Sequence, residues 1–253
     1  METIGLLPCA GLGLRMRPLK YPKELLPIGY YCTPDGRSVR PRLSIEYSFD
    51  AFKMAGITNC YVIVPDWKPE IMRYLGDGSE FGLHIAYLHN SKANGLADAI
   101  FSMEPWANNT LTALALPDTQ FCPQSGFNDL SARLEKEGAD LVLGIFPTDE
   151  PQHLAPVELD DTGKVLGIED KPALPRFRNA WGTALWNSRF WAFFKSIAGE
   201  LPDNISISDV FQGAVEAGLK VYGKYFDQGF YHDIGRIDHL PFPIERPDKN
   251  TIL

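Results

Sequence analysis

Short, largely apolar runs recur along the chain, and turn residues bound each of them. Runs of this kind are typical of strands that are buried on both faces of a sheet. The pattern predicts four such strands, at residues 4–7, 60–64, 111–116 and 141–146.

Two helices are predicted between these strands. Apolar residues recur on one face of each, at Ile45, Phe49 and Phe52 in the first and at Phe127, Leu130 and Leu134 in the second. A Ser44 cap would begin the first helix, and Gly56 and Gly138 stand where the two helices would end. Strand, helix and strand in this order imply parallel strands joined by right-handed crossovers. We therefore predict an α/β, Rossmann-like doubly wound sheet, mostly parallel (mixed), with helices on both faces and a ligand crevice at the carboxyl ends of its strands.

The pattern changes after about residue 147. The stretch VELDDTGKVLGIEDKP predicts two strands joined by a turn at residues 160–163. Next come a helix rich in aromatic residues around Phe190, a helix over residues 209–216 and a strand over residues 220–226. Aromatic residues at helical spacing are typical of a core, so we expect those of the first helix to be buried.

Composition and charge restrict the class of protein. The chain has 253 residues, 45% of them hydrophobic, which suits one large α/β domain. Its net charge of −8 and pI near 5.2 argue against a broad electrostatic attraction to nucleic acid, so any anion must be bound locally. The sequence has neither a membrane span nor the pattern of a signal peptide, and we expect a cytoplasmic protein.

The cysteines and histidines indicate no metal site. Cys9, Cys32, Cys60 and Cys122 form no CxxC pair and have no metal-ligand spacing. We expect reduced, mostly buried thiols. The histidines are equally scattered.

A group of basic residues near the N-terminus gives the clearest chemical signal. The stretch AGLGLRMRPLKYPKELLPI follows the first predicted strand and contains Gly11, Gly13, Arg15 and Lys23. Glycines at a strand end let backbone amides approach an anion, while a guanidinium grips phosphate oxygens and an ammonium adds a movable charge. Met16 replaces the third glycine of a dinucleotide fingerprint, and the Walker pattern is absent. The spacing indicates a polyphosphate site, with a basic surface loop as the alternative.

Five short motifs, taken in order, resemble those of the sugar-phosphate nucleotidyltransferases, also called nucleoside-diphosphate-sugar pyrophosphorylases. The basic stretch resembles GxGTRxxPxTxxxPKxLLPI, with Leu14 in place of the threonine. The others are LGDGSEFGLHIAYLHNSKANGLADAI, LPDTQF with Pro117 in place of a frequent glycine, GIEDKP and YHDIGR. The resemblance covers roughly residues 4–240 and is closest in character to the glucose-1-phosphate uridylyl- and thymidylyltransferases.

This resemblance implies one catalytic domain over residues 1–253. About residues 1–146 would form its nucleotide-binding half, and about residues 147–240 its sugar-phosphate-binding half, a small subdomain. We expect no C-terminal β-helix domain of the kind that longer relatives carry.

The implied reaction joins a nucleoside triphosphate and a sugar 1-phosphate. An oxygen of the sugar phosphate attacks the α-phosphorus, and pyrophosphate leaves, so positioning and charge neutralisation dominate catalysis. By resemblance, Arg15 would bind the departing pyrophosphate, Lys23 would bind the α-phosphate, and Asp118 would complete the catalytic set. UTP or dTTP is the favoured nucleotide, and glucose 1-phosphate is the default sugar.

The resemblance also assigns binding residues. Magnesium would be the cofactor, held by Asp118 and Asp233. The nucleotide would contact Ala10, Gly11, Gly13, Arg15, Lys23, Asn90 and Gly95. The sugar phosphate would contact Asp170, Lys171 and Gly182. Asn90 would pair with the edge of the base, and Asp170 is one methylene shorter than the family's usual glutamate.

Two alternatives stay open. One is a catalytically silent relative that binds nucleotide or sugar phosphate as a regulatory subunit, and the other is a cytidylyltransferase that acts on a non-sugar alcohol phosphate. The expected partners are nucleoside triphosphate and sugar 1-phosphate, without nucleic acid or membrane, and assembly into a homo-oligomer is left open. Residues 30–40, YYCTPDGRSVR, resemble an insertion with a PDG turn, and Trp181 is expected to reshape the sugar pocket.

Overall fold

The computed structural model describes residues 1–17, 19–32, 39–92, 94–107 and 109–235. Within them the strands are, in chain order, β1 (Thr3–Pro8), β2 (Pro27–Cys32), β3 (Val39–Leu43), β4 (Asn59–Val64), β5 (His84–His89), β6 (Leu111–Leu114), β7 (Thr119–Cys122), β8 (Leu141–Pro147), β9 (Val157–Leu159), β10 (Val165–Ile168), β11 (Asn179–Trp186), β12 (Val221–Tyr225) and β13 (Phe230–Asp233). The helices are α1 (Ser44–Met54), α2 (Pro69–Leu75), α3 (Gly95–Phe101), α4 (Gly126–Glu137), α5 (Ser188–Ile197) and α6 (Ile207–Glu216).

A seven-stranded sheet with the strand order β12–β8–β11–β6–β1–β4–β5 forms the centre of the fold. Neighbouring strands are parallel, except that β11 runs antiparallel to both β6 and β8. The predicted mixed, Rossmann-like α/β sheet is therefore confirmed, and the four strands predicted from apolar runs all belong to it. Because β11 lies between β8 and β6, both halves of the chain build this one sheet.

Helices cover both faces of the sheet. The residues of α3, α5 and α6 form one apolar layer, and those of α1, α2 and α4 form the other. Strand β8 shows the alternation, since Leu141 and Leu143 join the first layer while Val142 and Phe146 join the second. Burial on both faces explains why these strands are continuous apolar runs in the sequence.

The ends of the predicted helices agree with the structure at one position and differ at another. Helix α4 ends before Gly138, whose φ of 56° lets the chain leave the helix in the left-handed region. The predicted Ser44 cap is wrong, because Ser44 is the first residue of α1 and its hydroxyl donates to the Pro117 carbonyl at 2.8 Å. The Glu46 carboxylate instead accepts a hydrogen bond from the Leu43 amide at 2.7 Å.

Short antiparallel ribbons stand beside the sheet. The predicted pair β9 and β10 is confirmed, and a second ribbon pairs β7 with β13. A third pairs β2 with β3, which partly overlap residues 30–40, the segment that resembles an insertion. Its predicted turn at residues 34–36 lies outside the described residues. Strand β5 was not among the predicted strands. It lies at the edge of the sheet, and its residues are exposed or half-buried, unlike the buried apolar runs of the predicted strands.

The predicted thiols are free where the structure describes them. Cys9 and Cys60 are buried, whereas Cys122 is exposed. The side chain of Cys32 lies outside the described residues. Among the helices that the structure describes, none is long and apolar enough to cross a membrane.

Candidate active site

A cleft of about 980 Å³ opens at the carboxyl ends of β1 and β6. This is the end of a doubly wound sheet at which ligands bind. Residues from both halves of the chain line it, and ten of them were predicted to bind substrate or metal: Ala10, Gly11, Gly13, Arg15, Lys23, Gly95, Asp118, Asp170, Lys171 and Asp233. The fold thus brings most of the predicted site together.

The glycine loop after β1 leaves its backbone accessible. A side chain built at Gly11 would meet no atom within 4 Å, and Gly13 has a φ of 63°, which favours glycine. Leu14, which stands where the family has threonine, is about half exposed and begins a single 3₁₀ turn. The loop therefore presents open backbone to the cleft, as a phosphate site requires.

Two ion pairs link Arg15 and Lys23 to two aspartates of the cleft. Lys23 pairs with Asp118, and Arg15 pairs with Asp233 at 3.1 Å. Burial alone would raise the pKa of the Asp118 carboxyl, but the Lys23 ammonium and then the Arg15 guanidinium outweigh burial and hold that pKa below its usual range. Burial would lower the pKa of Lys23, whereas Asp118 and Glu24 raise it above its usual value. Both partners of this pair are therefore charged at neutral pH.

The ribbon of β7 and β13 brings the two aspartates together. The Ile234 amide donates to the Asp118 carbonyl at 3.0 Å, and the Gly235 amide donates to the Asp233 carboxylate at 2.7 Å. A methyl group built on Gly235 would lie 2.8 Å from Asp233 Oδ1, 3.0 Å from Asp118 Oδ2 and 2.8 Å from Arg15 Nη2. Gly235 therefore marks the small space in which the two carboxylates and the guanidinium converge.

The donor set of this space fits magnesium. The part of the chain that the structure describes holds no cluster of three or more His, Cys, Asp or Glu side chains suited to a metal ion. Magnesium is often bound through one or two carboxylates and substrate phosphates, keeping several waters. Asp118 and Asp233 supply two convergent carboxylates, and a polyphosphate would have to supply further oxygens.

The second half of the chain contributes Asp170 and Lys171 to the cleft. The Lys171 Nζ lies 3.5 Å from Asp170 Oδ2, and its amide donates to the Leu154 carbonyl at 2.8 Å. Lys171 has a φ of 47°, a conformation that costs energy for a residue with a side chain and that concentrates at functional sites. Asp209, at the start of α6, also lines the cleft, and burial and the Asp170 charge raise its pKa.

Two predicted binding residues do not line the cleft. Asn90 is buried, and its amide nitrogen donates to the Asp98 carboxylate at 2.9 Å and to the Ser102 hydroxyl at 3.0 Å. Its side chain therefore holds α3 and does not line the cleft. Gly182 lies beneath the ring of Tyr231, in van der Waals contact that a side chain would prevent, so it supports the wall of the cleft from behind.

A buried ion pair beneath the glycine loop was missed by sequence reasoning. The Lys68 ammonium donates to Glu24 Oε1 at 2.7 Å and to the Cys9 carbonyl at 2.9 Å, and all three residues are buried. The pair connects the loop to the segment that carries Lys23. No local signal reveals the pair, because Glu24 and Lys68 lie 44 residues apart in sequence.

Comparison with known proteins agrees with this arrangement. The profile of the nucleotidyl transferase family matches residues 9–241. The chain is 28% identical over 238 residues to the glucose-1-phosphate thymidylyltransferase of Streptomyces griseus, an alignment that covers 93% of this chain and 63% of that protein. It is 29% identical over 231 residues to the glucose-1-phosphate thymidylyltransferase of Neisseria gonorrhoeae, covering 88% of this chain and 75% of that protein. The chain thus spans less than two thirds of the length of the Streptomyces relative.

A solved structure shares the fold. The chain superimposes on UDP-glucose pyrophosphorylase complexed with UDP-glucose with a TM-score of 0.76 and 18% sequence identity, covering 95% of this chain and 96% of that chain. At this level of identity the similarity supports the architecture alone. The family profile, in contrast, spans most of the chain, including the glycine loop, so the chain belongs to the nucleotidyl transferase family.

Proposed function

We propose that this protein transfers a nucleotidyl group from a nucleoside triphosphate to a sugar 1-phosphate, forming an NDP-sugar and pyrophosphate. One observation carries the proposal: two ion pairs, Lys23 with Asp118 and Arg15 with Asp233, converge in a cleft that also contains Lys171. Two phosphate-bearing substrates must approach each other here, and cations on both sides of the reacting phosphorus offset their repulsion. At about 980 Å³ the cleft has the volume of a substrate-binding site.

The roles proposed for the cations are those that the family resemblance implies, and their positions in the cleft support them. Lys23, beside Asp118 and close to the glycine loop, would bind the α-phosphate, and the more exposed Arg15 would bind the departing pyrophosphate. Lys171 would bind the phosphate of the sugar, with Asp170 on the sugar hydroxyls. In each case the phosphate oxygens would bind a cation that is paired with a carboxylate in the protein alone. The protein supplies position and charge, and no covalent intermediate is needed.

Asp118 and Asp233 would hold a magnesium ion. When bound, the ion would neutralise charge on the phosphates during attack and departure. Lys23 and Arg15, which pair with these carboxylates here, would bind oxygens of the triphosphate. The pairs Lys23–Asp118 and Arg15–Asp233 therefore belong to the substrate-free protein.

The nucleotide is proposed to be dTTP or UTP, and the sugar glucose 1-phosphate. The names of the curated relatives, glucose-1-phosphate thymidylyltransferases, favour dTTP and glucose 1-phosphate. We assign Asn90 no part in this choice, because its amide nitrogen is hydrogen-bonded to Asp98 and Ser102.

Pyrophosphate release with magnesium tests the proposal. Each of ATP, GTP, CTP, UTP and dTTP is combined with a panel of sugar 1-phosphates and, separately, with alcohol phosphates. We expect release only when one pyrimidine triphosphate and one sugar 1-phosphate are both present, and none from Asp118→Asn, which keeps the size of the side chain but loses its charge. Release with CTP and an alcohol phosphate alone, or silence from folded protein that still binds nucleotide, would contradict the proposal.

A further inference from the structure

A β-bulge in β11 changes which face of the sheet Trp181 occupies. Trp181 is paired with Ile145 and Thr183 with Gly144, so Gly182 is an extra residue in this strand. Side chains of a regular strand alternate between faces, and Ala184 and Trp186 belong to the layer that includes α6. Without the bulge, Trp181 would face the opposite layer. With it, Trp181 joins the same layer as Ala184.

This face of the sheet is the one on which the cleft lies. Trp181 lines the cleft and is only 7% exposed. Its amide donates to the Ala155 carbonyl at 3.2 Å, and the adjacent Leu154 carbonyl accepts from the amide of Lys171. Trp181 is therefore next to the segment that positions Lys171, and both residues line the cleft.

The indole is also held in one position. Its Nε1–H donates to the Ser208 hydroxyl at 2.9 Å, and its ring makes an edge contact with Phe211 at a centroid distance of 5.2 Å. Gly182 is needed for the arrangement, because the Tyr231 ring occupies the space of any side chain there. A bulky ring that is hydrogen-bonded and packed from behind cannot turn away from a ligand without breaking these contacts.

We propose that Trp181 is a specificity-determining residue that limits the acceptor to hexose 1-phosphates whose substituents are no larger than hydroxyl groups. The inference rests on the proposed function and names its substrate class. A sugar with an acetamido substituent would collide with the fixed indole, whereas glucose 1-phosphate would fit beside it. Trp181 touches the sugar but takes no part in the chemical step.

The test compares glucose 1-phosphate with N-acetylglucosamine 1-phosphate in the wild type, Trp181→Leu and Trp181→Phe. Trp191→Leu is the matched control, because Trp191 is also a buried indole whose Nε1–H donates to a hydroxyl, that of Thr112 at 2.9 Å, but it lies outside the cleft. Pyrophosphate release gives kcat/KM, and calorimetry gives the affinity for each sugar phosphate. Thermal melting shows whether each variant folds.

We expect the wild type to prefer glucose 1-phosphate at least ten-fold and Trp181→Leu to reduce that preference at least ten-fold. Trp181→Phe should have a smaller effect, and Trp191→Leu should leave the preference unchanged. Equal use of both sugars by the wild type, or an unchanged preference in both Trp181 variants, would overturn the inference while leaving the transferase intact. Absence of turnover in every protein would refute the proposed function. Calorimetry would then still test the role of Trp181. If no sugar phosphate bound, or if the binding preference were the same in the wild type and the Trp181 variants, the inference would be overturned.

Discussion

Removing the Lys68 ammonium should destabilise the protein strongly. Lys68 and Glu24 form a buried pair, and one Glu24 oxygen, Oε2, already has no hydrogen-bond partner. In Lys68→Met the carboxylate would lose its counter-ion, and the Cys9 carbonyl would lose its donor. Breaking a buried pair by removing one partner costs about 3–5 kcal/mol, because a buried charge is left uncompensated. We expect a loss of that size in the free energy of unfolding at pH 7.5, measured with urea.

The loss should shrink in acid, and the pKa of Glu24 explains why. Burial raises the pKa of this carboxyl, although Lys68 and then Lys23 oppose the rise. Removing Lys68 would raise it further in the folded state only. A carboxyl whose folded pKa is raised carries no penalty below its unfolded pKa and the full penalty above its folded pKa. The gap between wild type and Lys68→Met should therefore be smaller at pH 5 than at pH 7.5.

A double variant, Lys68→Met with Glu24→Met, separates charge from packing. Replacement of a buried ion pair by apolar residues of similar volume is often neutral or stabilising. We expect the double variant to recover most of the loss and to lose the pH dependence. A loss below about 1 kcal/mol in Lys68→Met, an equal loss at both pH values, or a double variant no more stable than the single one would refute the reasoning.

Three further predictions concern the cleft. Gly235→Ala should lower kcat by about 10²-fold without changing the melting temperature, because the added methyl group would displace the carboxylates of Asp118 and Asp233. An unchanged kcat would show that the two carboxylates do not act together. Lys171→Asn keeps the positive φ, which asparagine tolerates. It should raise KM for the sugar 1-phosphate by about 10- to 150-fold, which corresponds to the loss of a charged hydrogen bond worth about 1.5–3 kcal/mol. An unchanged KM would contradict the role of Lys171 in binding the sugar phosphate. Gly182→Ala should cost about 1–3 kcal/mol of stability in urea unfolding, since Tyr231 must move, and wild-type stability would contradict the packing described.

The local pattern of the sequence determined most strands of the sheet and the helices α1, α4, α5 and α6. Burial on two faces requires continuous apolar runs, and burial on one face of a helix requires a 3.6-residue repeat, so both can be read without knowing the fold. The same holds for Gly11, Gly13 and Arg15, which are close together in sequence and therefore in space. The true start of α1 could not be read in this way. Ser44, the predicted cap, is the first helical residue, and its hydroxyl donates to the carbonyl of Pro117 in a distant loop.

The tertiary structure decided which distant residues meet. Asp118 and Asp233 converge because β7 pairs with β13, and neither residue carries a local sign of its partner. Lys68 and Glu24 form a buried pair only because two loops pack below the glycine turn.

Long-range packing also determined the surroundings of Asn90 and Trp181. The amide of Asn90 has the donor and acceptor that base recognition needs, yet in the folded chain its nitrogen donates to Asp98 and Ser102. Trp181 faces the cleft because one extra residue in β11 reverses the alternation of that strand. Sequence periodicity records whether a position is buried, whereas strand register and loop packing determine what it is buried against.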